Sequence, residues 1–237
     1  MVERQTQTKQ VVIFGTGKFA RYAISCFERD SGGQLEVAAL TVTDDSIEKP
    51  RMWGKLVTPF EDLEKTFPPD RYVMFVAVGP ARKDGKLNGL RAHFYSQCKE
   101  KGYKLISYVH PRAEMGAETI LGDNVFIPAL NNIDHFVHIG NNVIFWAKNH
   151  IGHETVVGPD VFFSTGVTVS GSCKIGPNCY FGVNSCTADG IVVGSNSFIG
   201  MGVPITKDTE PGSVYKPAAI EPKDYKTPEM RRFESST

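Results

Sequence analysis

The segment IFWAKNHIGHETVVGPDVFFSTGVTVSGSCKIGPNCYFGVNS, residues 144–185, decides the fold. It has a period of six, and the same phase runs from Val109 to Thr209. Stepping by six from Leu121 gives Ile127, Ile133, Ile139, Phe145, Ile151, Val157, Phe163, Val169, Ile175, Phe181, Thr187, Val193, Ile199 and Ile205, apolar at every place but Thr187. The next residue is often glycine, as at Gly140, Gly152, Gly158, Gly176 and Gly182. The residue four after each start is small or of medium size, as at Val125, Val161, Cys173 and Cys179. A fixed short period marks a solenoid, and hexads belong to the parallel β-helix repeats. Each hexad predicts a short strand and a turn, and three hexads close one triangular coil. Residues eighteen apart then stack on neighbouring coils at the usual strand spacing. The starting residues point inward, and glycine serves the turn where a Cβ would obstruct the backbone. The alternative, an antiparallel domain with a chance pattern, does not require the phase to hold unslipped for so long.

Around this stretch the composition is that of a globular protein. Lysine plus arginine and aspartate plus glutamate each number 26, so formal charge is zero and favours neither nucleic acid nor an anionic membrane. No apolar run reaches the roughly 20 residues of a membrane-spanning helix. The first ten residues are polar and read as a fraying end rather than a signal peptide. The five cysteines, Cys26, Cys98, Cys173, Cys179 and Cys186, are odd in number and form no CxxC, which fits a reducing, cytoplasmic setting.

Residues 10 to about 108 have another rhythm. Strands are expected at Val11–Phe14, Leu35–Val42, Tyr72–Val78 and Lys104–Val109, with helices to about Glu28, from Phe60 to Phe67 and from Lys86 to Lys101. Residues 49–58, with Pro50 and Gly54, read as an irregular loop. Strands alternating with helices imply a small parallel sheet. Gly15-Thr-Gly17-Lys-Phe-Ala20 follows the first strand, opens a helix and matches the phosphate-binding fingerprint that ends in alanine. Such a helix start offers free N–H groups to an anion, and Asp44, ending the second strand, is suited to a ribose or base. The alternative is a tight strand-to-helix turn beside a solvated pair, Asp44 and Asp45. Gly79 ends the third strand, and Arg82 or Lys83 would meet phosphate or stand as plain surface charge. Only half of a dinucleotide fold precedes the hexads, so a mononucleotide-sized ligand suits the space.

His135, His138, His150 and His153 fall at outward places of the repeat. His135 and His153, eighteen apart, stack on successive coils. Histidine moves protons near neutral pH, and Glu154 follows His153 to orient it. A groove histidine beside a carboxylate suits direct acyl transfer: the base deprotonates an attacking amine or hydroxyl, and a backbone N–H holds the oxyanion. Two HxxH pairs also raise a metal-dependent hydratase of the gamma-carbonic-anhydrase type, although no third ligand is evident.

The segments VVIFGTGKFA, FVAVGPARK, GYKLISYVHPRA, IGHETVVG and GVNSCTADGIVVGSNSFIGMGVPITKD, in that order, resemble the sialic-acid O-acetyltransferase and bacillosamine N-acetyltransferase family over nearly the whole chain. The resemblance implies a Rossmann-like α/β domain that binds a nucleotide-linked sugar (1–108), a left-handed parallel β-helix acyltransferase domain (109–209) and a C-terminal cap and tail (210–237). It implies a homotrimer with acetyl-CoA lying along the coils and sites between neighbouring solenoids, serving surface-polysaccharide or glycan precursor synthesis. The base falls on His153 and its acid on Glu154, with the oxyanion and thioester contact on Gly171. Further cofactor contacts fall on Val183, Asn184, Gly200, Met201 and Gly202, and sugar-nucleotide contacts on Gly15, Gly17, Asp44 and Gly79. His135 and Trp146 are expected beside the acceptor. A second cofactor-side histidine of some members is Phe162 here, and the usual glycine-proline near the end reads Tyr215-Lys216-Pro217. A non-catalytic trimeric sugar-binding protein is the remaining alternative.

Overall fold

A computed structural model describes residues 8–80 and 86–218. The N-terminal domain contains β1 (Lys9–Phe14), α1 (Lys18–Ser25), β2 (Leu35–Val42), β3 (Arg51–Met52), β4 (Lys55–Pro59), α2 (Leu63–Thr66), β5 (Val73–Val76) and α3 (Gly89–Glu100). The sheet order is β3-β4-β2-β1-β5. The Val11–Phe14 run is buried on both faces, as a central parallel strand requires.

Two expectations are corrected here. Residues 49–58 are not an irregular loop: β3 and β4 form an antiparallel hairpin, and β4 also joins β2 as a parallel strand. Its turn, Trp53-Gly54, has φ 51° and 80°, the both-positive geometry that normally selects Asn-Gly. The indole offsets the strain by donating from Nε1 to the Thr16 carbonyl at 2.9 Å, with the Arg21 guanidinium 4.7 Å over the ring. Lys104–Val109 is not a strand of this sheet either. Leu105 makes one parallel bridge to Met74, and Tyr108–Val109 pairs with Phe126–Ile127 as the first rung of the solenoid.

From Tyr108 to Tyr215 the chain winds as a parallel β-helix with two-residue rungs. Three sheets of seven, six and five strands form its sides. Partners lie eighteen residues apart: His150 pairs with Asn132 and Thr168. The starting residues fill the core, with Phe145, Phe163 and Phe181 stacked at 4.7 and 5.0 Å. The glycine after each start faces the next coil: a Cβ on Gly152 would lie 2.6 Å from the Gly171 nitrogen. The positive-φ place falls two residues later and is held mostly by other residues, including Asn124, Asn142, Glu154, Asn178 and Asn184. The last rung, Val214–Tyr215, pairs with Phe198–Ile199 and lies beyond residue 209, inside the segment assigned above to the cap.

The seven-stranded side is the docked face. Its outward residues Phe126, Ile144 and Phe162 are buried in one apolar cluster with Phe19 and Phe27 of the N-terminal domain. Arg91 of α3 is fully buried and donates to the carbonyls of Asn142, Asp160 and Val161. Burial pushes its guanidinium down to about 10, partly offset by Asp160. Asn124 accepts the Val76 N–H at 2.8 Å, fixing the sheet edge to the coil. Among the described residues no helix is long and apolar enough to cross a membrane.

Candidate active site

The six-stranded side, the polar face, carries Glu114, Asn132, His150, Thr168, Cys186 and Pro204 on its outer surface. The five-stranded side, the open face, carries Ile120, His138, Val156, Lys174 and Val192. His153 stands on the corner between these two, in a column of residues eighteen apart: Ala117, His135, His153, Gly171 and Asp189.

The imidazole of His153 is open to solvent, its side chain 57% exposed. Its Nδ1 lies 3.5 Å from Glu154 Oε2, and the Ser172 hydroxyl donates to the same oxygen at 3.2 Å. Glu154 reaches this place from a left-handed turn, φ 56°. On the other side the ring lies over Gly171, where a Cβ would stand 2.5 Å from Nε2. Glycine is therefore required for the ring to occupy this place. The Gly171 N–H donates to Asp189 Oδ1 at 2.9 Å, so the donor expected to meet an oxyanion already holds a carboxylate. His135 accepts the Ala117 N–H on Nδ1 at 3.0 Å, and a neutral ring so bound carries its proton on Nε2. The His135 N–H in turn donates to Asp134 Oδ1 at 2.8 Å.

Val183, Asn184, Gly200, Met201 and Gly202 lie on a different corner, between the docked and polar faces. Val183 and Met201 are exposed, whereas Gly200 is buried beneath Tyr215 and Pro217. The polar face, with Thr168 and Cys186, separates this corner from Gly171. Trp146 belongs to the same second corner and not to the surroundings of His153. Its indole stacks on Tyr22 at 5.4 Å and packs against Phe19 at 5.5 Å, and burial lifts the Tyr22 hydroxyl to about 12.

In the N-terminal domain Gly15 has φ 123°, and a Cβ there would meet the Ala77 carbonyl at 2.8 Å. Gly17 precedes α1 with open space above it. Gly15–Gly17 and Gly79 follow β1 and β5, which are neighbouring parallel strands, and ligands of such sheets usually lie beyond the carboxyl ends of the strands. Asp44 is exposed, and its N–H donates to Glu61 Oε2 at 3.1 Å. A cavity of about 580 Å³ opens beside Thr43, Phe60, Glu61 and His93. Arg82 and Lys83 lie outside the described residues. Among the described residues no group of three or more His, Cys, Asp or Glu is placed to hold a metal ion. Sequence reasoning missed Asp134 and Asp189. Once the hexad phase is known, the eighteen-residue column places Asp189, and Asp134 is the neighbour of a column member.

Comparison with known proteins bears on the fold. The family model for the hexapeptide repeat of succinyl-transferase matches residues 173–207. No curated protein sequence matches the chain. The chain is similar in structure to the acetyltransferase domain of PglB from Neisseria gonorrhoeae, at 21% identity over 89% of this chain and 97% of that one, TM-score 0.76. That domain is also solved in complex with acetyl coenzyme A. It is similar to a mutant of perosamine N-acetyltransferase from Caulobacter crescentus in complex with CoA and GDP-perosamine, at 23% identity over 90% and 97%, TM-score 0.77. WeeI from Acinetobacter baumannii matches at 18% identity over 87% and 96%, TM-score 0.73. The fold is thus a small α/β domain followed by a left-handed parallel β-helix.

Proposed function

We propose that this chain is an acetyltransferase that carries the acetyl group of acetyl-CoA to an amino or hydroxyl group of a nucleotide-linked sugar, with His153 as general base. The observation that carries the reading is the His153 corner: an open imidazole with Nδ1 beside Glu154 and Nε2 over the backbone of Gly171. The printed ligands of the similar structures, acetyl coenzyme A, CoA and GDP-perosamine, support the two substrates. Nε2 takes a proton from the acceptor as its nitrogen or oxygen bonds to the thioester carbon. The carbonyl oxygen gains charge and meets the Gly171 N–H, for which Asp189 turns away. The C–S bond then breaks, and the imidazolium returns a proton to the leaving thiolate. Glu154 orients the ring, and the Nε2–H of His135 is offered to the acceptor. Val183, Asn184, Gly200, Met201 and Gly202 hold the cofactor, and Gly15, Gly17, Asp44 and Gly79 hold the nucleotide.

The corner between the polar and open faces lies opposite the docked face, so the N-terminal domain of the same chain lies across the coil from His153. We therefore place the complete site between chains of a homotrimer. The exposed Ile120, Val156 and Val192 of the open face, with Phe136 at its edge, support such packing. The pathway assigned is precursor synthesis for surface glycans. The test measures CoA thiol released with a panel of nucleotide-linked aminosugars. His153→Ala is expected to lose turnover on the order of 10²-fold or more while keeping assembly and acetyl-CoA affinity. Near-native turnover overturns the assignment.

A further inference from the structure

We infer that Asp134 is a positioning residue that keeps the His153 imidazole free, an inference that rests on reading His153 as the base. The column at this corner has a structural bond of its own: a backbone N–H on one coil donates to the side chain eighteen residues on. Ala117 donates to His135 Nδ1 at 3.0 Å, and Gly171 donates to Asp189 Oδ1 at 2.9 Å. By the same rule His135 would donate to His153 Nδ1. It does not, because the half-buried Asp134 turns its carboxylate onto the His135 N–H at 2.8 Å. On the next coil Gly171 has no side chain to extend the column. The bonding is thus interrupted on both sides of His153 alone. The freed Nδ1 stands 3.5 Å from Glu154 Oε2, whose negative charge favours a ring proton on Nδ1 and so leaves the Nε2 lone pair over Gly171. A ring drawn into the column would become like His135, with Nδ1 accepting and the proton on Nε2, and so unable to act as base from Nε2.

Asp134→Ala tests this, with two-bond nitrogen–proton spectra of histidine-labelled full-length protein as the direct readout and His153→Ala identifying the signal. The expected result is transfer of the neutral His153 proton from Nδ1 to Nε2, with turnover falling at least about tenfold and KM for acetyl-CoA within about twofold of native. Asp134→Asn, whose carbonyl oxygen still accepts, restores the native ring signal and turnover. Asp134→Leu, similar in size and without an acceptor, carries the same expectation as alanine should that variant fail to accumulate. An unchanged His153 ring signal in the alanine or leucine variant overturns the inference. A shifted ring with native turnover upholds the positioning and overturns the base assignment instead, so the two failures are distinguishable.

Discussion

Gly152 and Gly171 stand at neighbouring places of the hexad, the second and the third, and a methyl group meets different matter at each. At Gly152 it would strike backbone on the next coil, 2.6 Å from the Gly171 nitrogen and 2.7 Å from the Ser170 carbonyl carbon. Neither can yield without parting two coils, so Gly152→Ala is expected to destabilise the fold by about 3 kcal/mol or more, seen as a large drop in Tm. At Gly171 its three nearest neighbours would all be ring atoms of the exposed His153. Gly171→Ala is therefore expected to leave Tm within a degree or two of native while turnover approaches that of His153→Ala. Asp189 supplies the complementary test. Removing a competitor worth about 1 kcal/mol for the Gly171 N–H should raise kcat/KM for acetyl-CoA about fivefold in Asp189→Ala. An unchanged value would assign the oxyanion to another donor.

The hexad strands were legible because each repeats one requirement: an apolar residue inward, a glycine where the next coil passes, a left-handed turn two residues later. The hairpin of β3 and β4 was not, since Trp53-Gly54 lacks the usual turn signature and is held by contacts to Thr16 and Arg21, far away in sequence. Lys104–Val109 misled because its apolar residues serve two sheets in succession. His153 and Glu154 could be read as neighbours. Asp134 and Asp189 act through backbone groups, and a backbone donor has no letter in the sequence. On α3, Cys98 is fully buried, and burial pushes its thiol up to about 12, while Cys26 and Cys179 rise to about 11. These pKa values lie above that of an unfolded thiol, so the stability they represent is whole below about pH 9 and is lost as pH rises past it. Thermal melts from pH 8 to 11 should show Tm falling, and Cys98→Ala should flatten the alkaline limb.

At the scale of the molecule, the N-terminal domain and the His153 corner occupy opposite sides of one coil. Mixed assemblies test whether two chains share a site. Chains carrying His153→Ala and chains carrying Gly17→Asp, which places a negative charge in open space at the start of α1, are each expected to be inactive. Co-assembled, they should regain turnover measured as thiol release, because some interfaces pair an intact N-terminal domain with an intact base. Light scattering should give three chains per particle. The triangular coil also sets an arithmetic on how such a chain can change length. Eighteen residues make one full revolution, so gaining or losing that number shifts the base along the axis and keeps its bearing. Gaining six between Ile144 and Asn149 would turn everything downstream by a third of a revolution, bringing His153 round beside its own N-terminal domain and converting the proposed shared site into a private one.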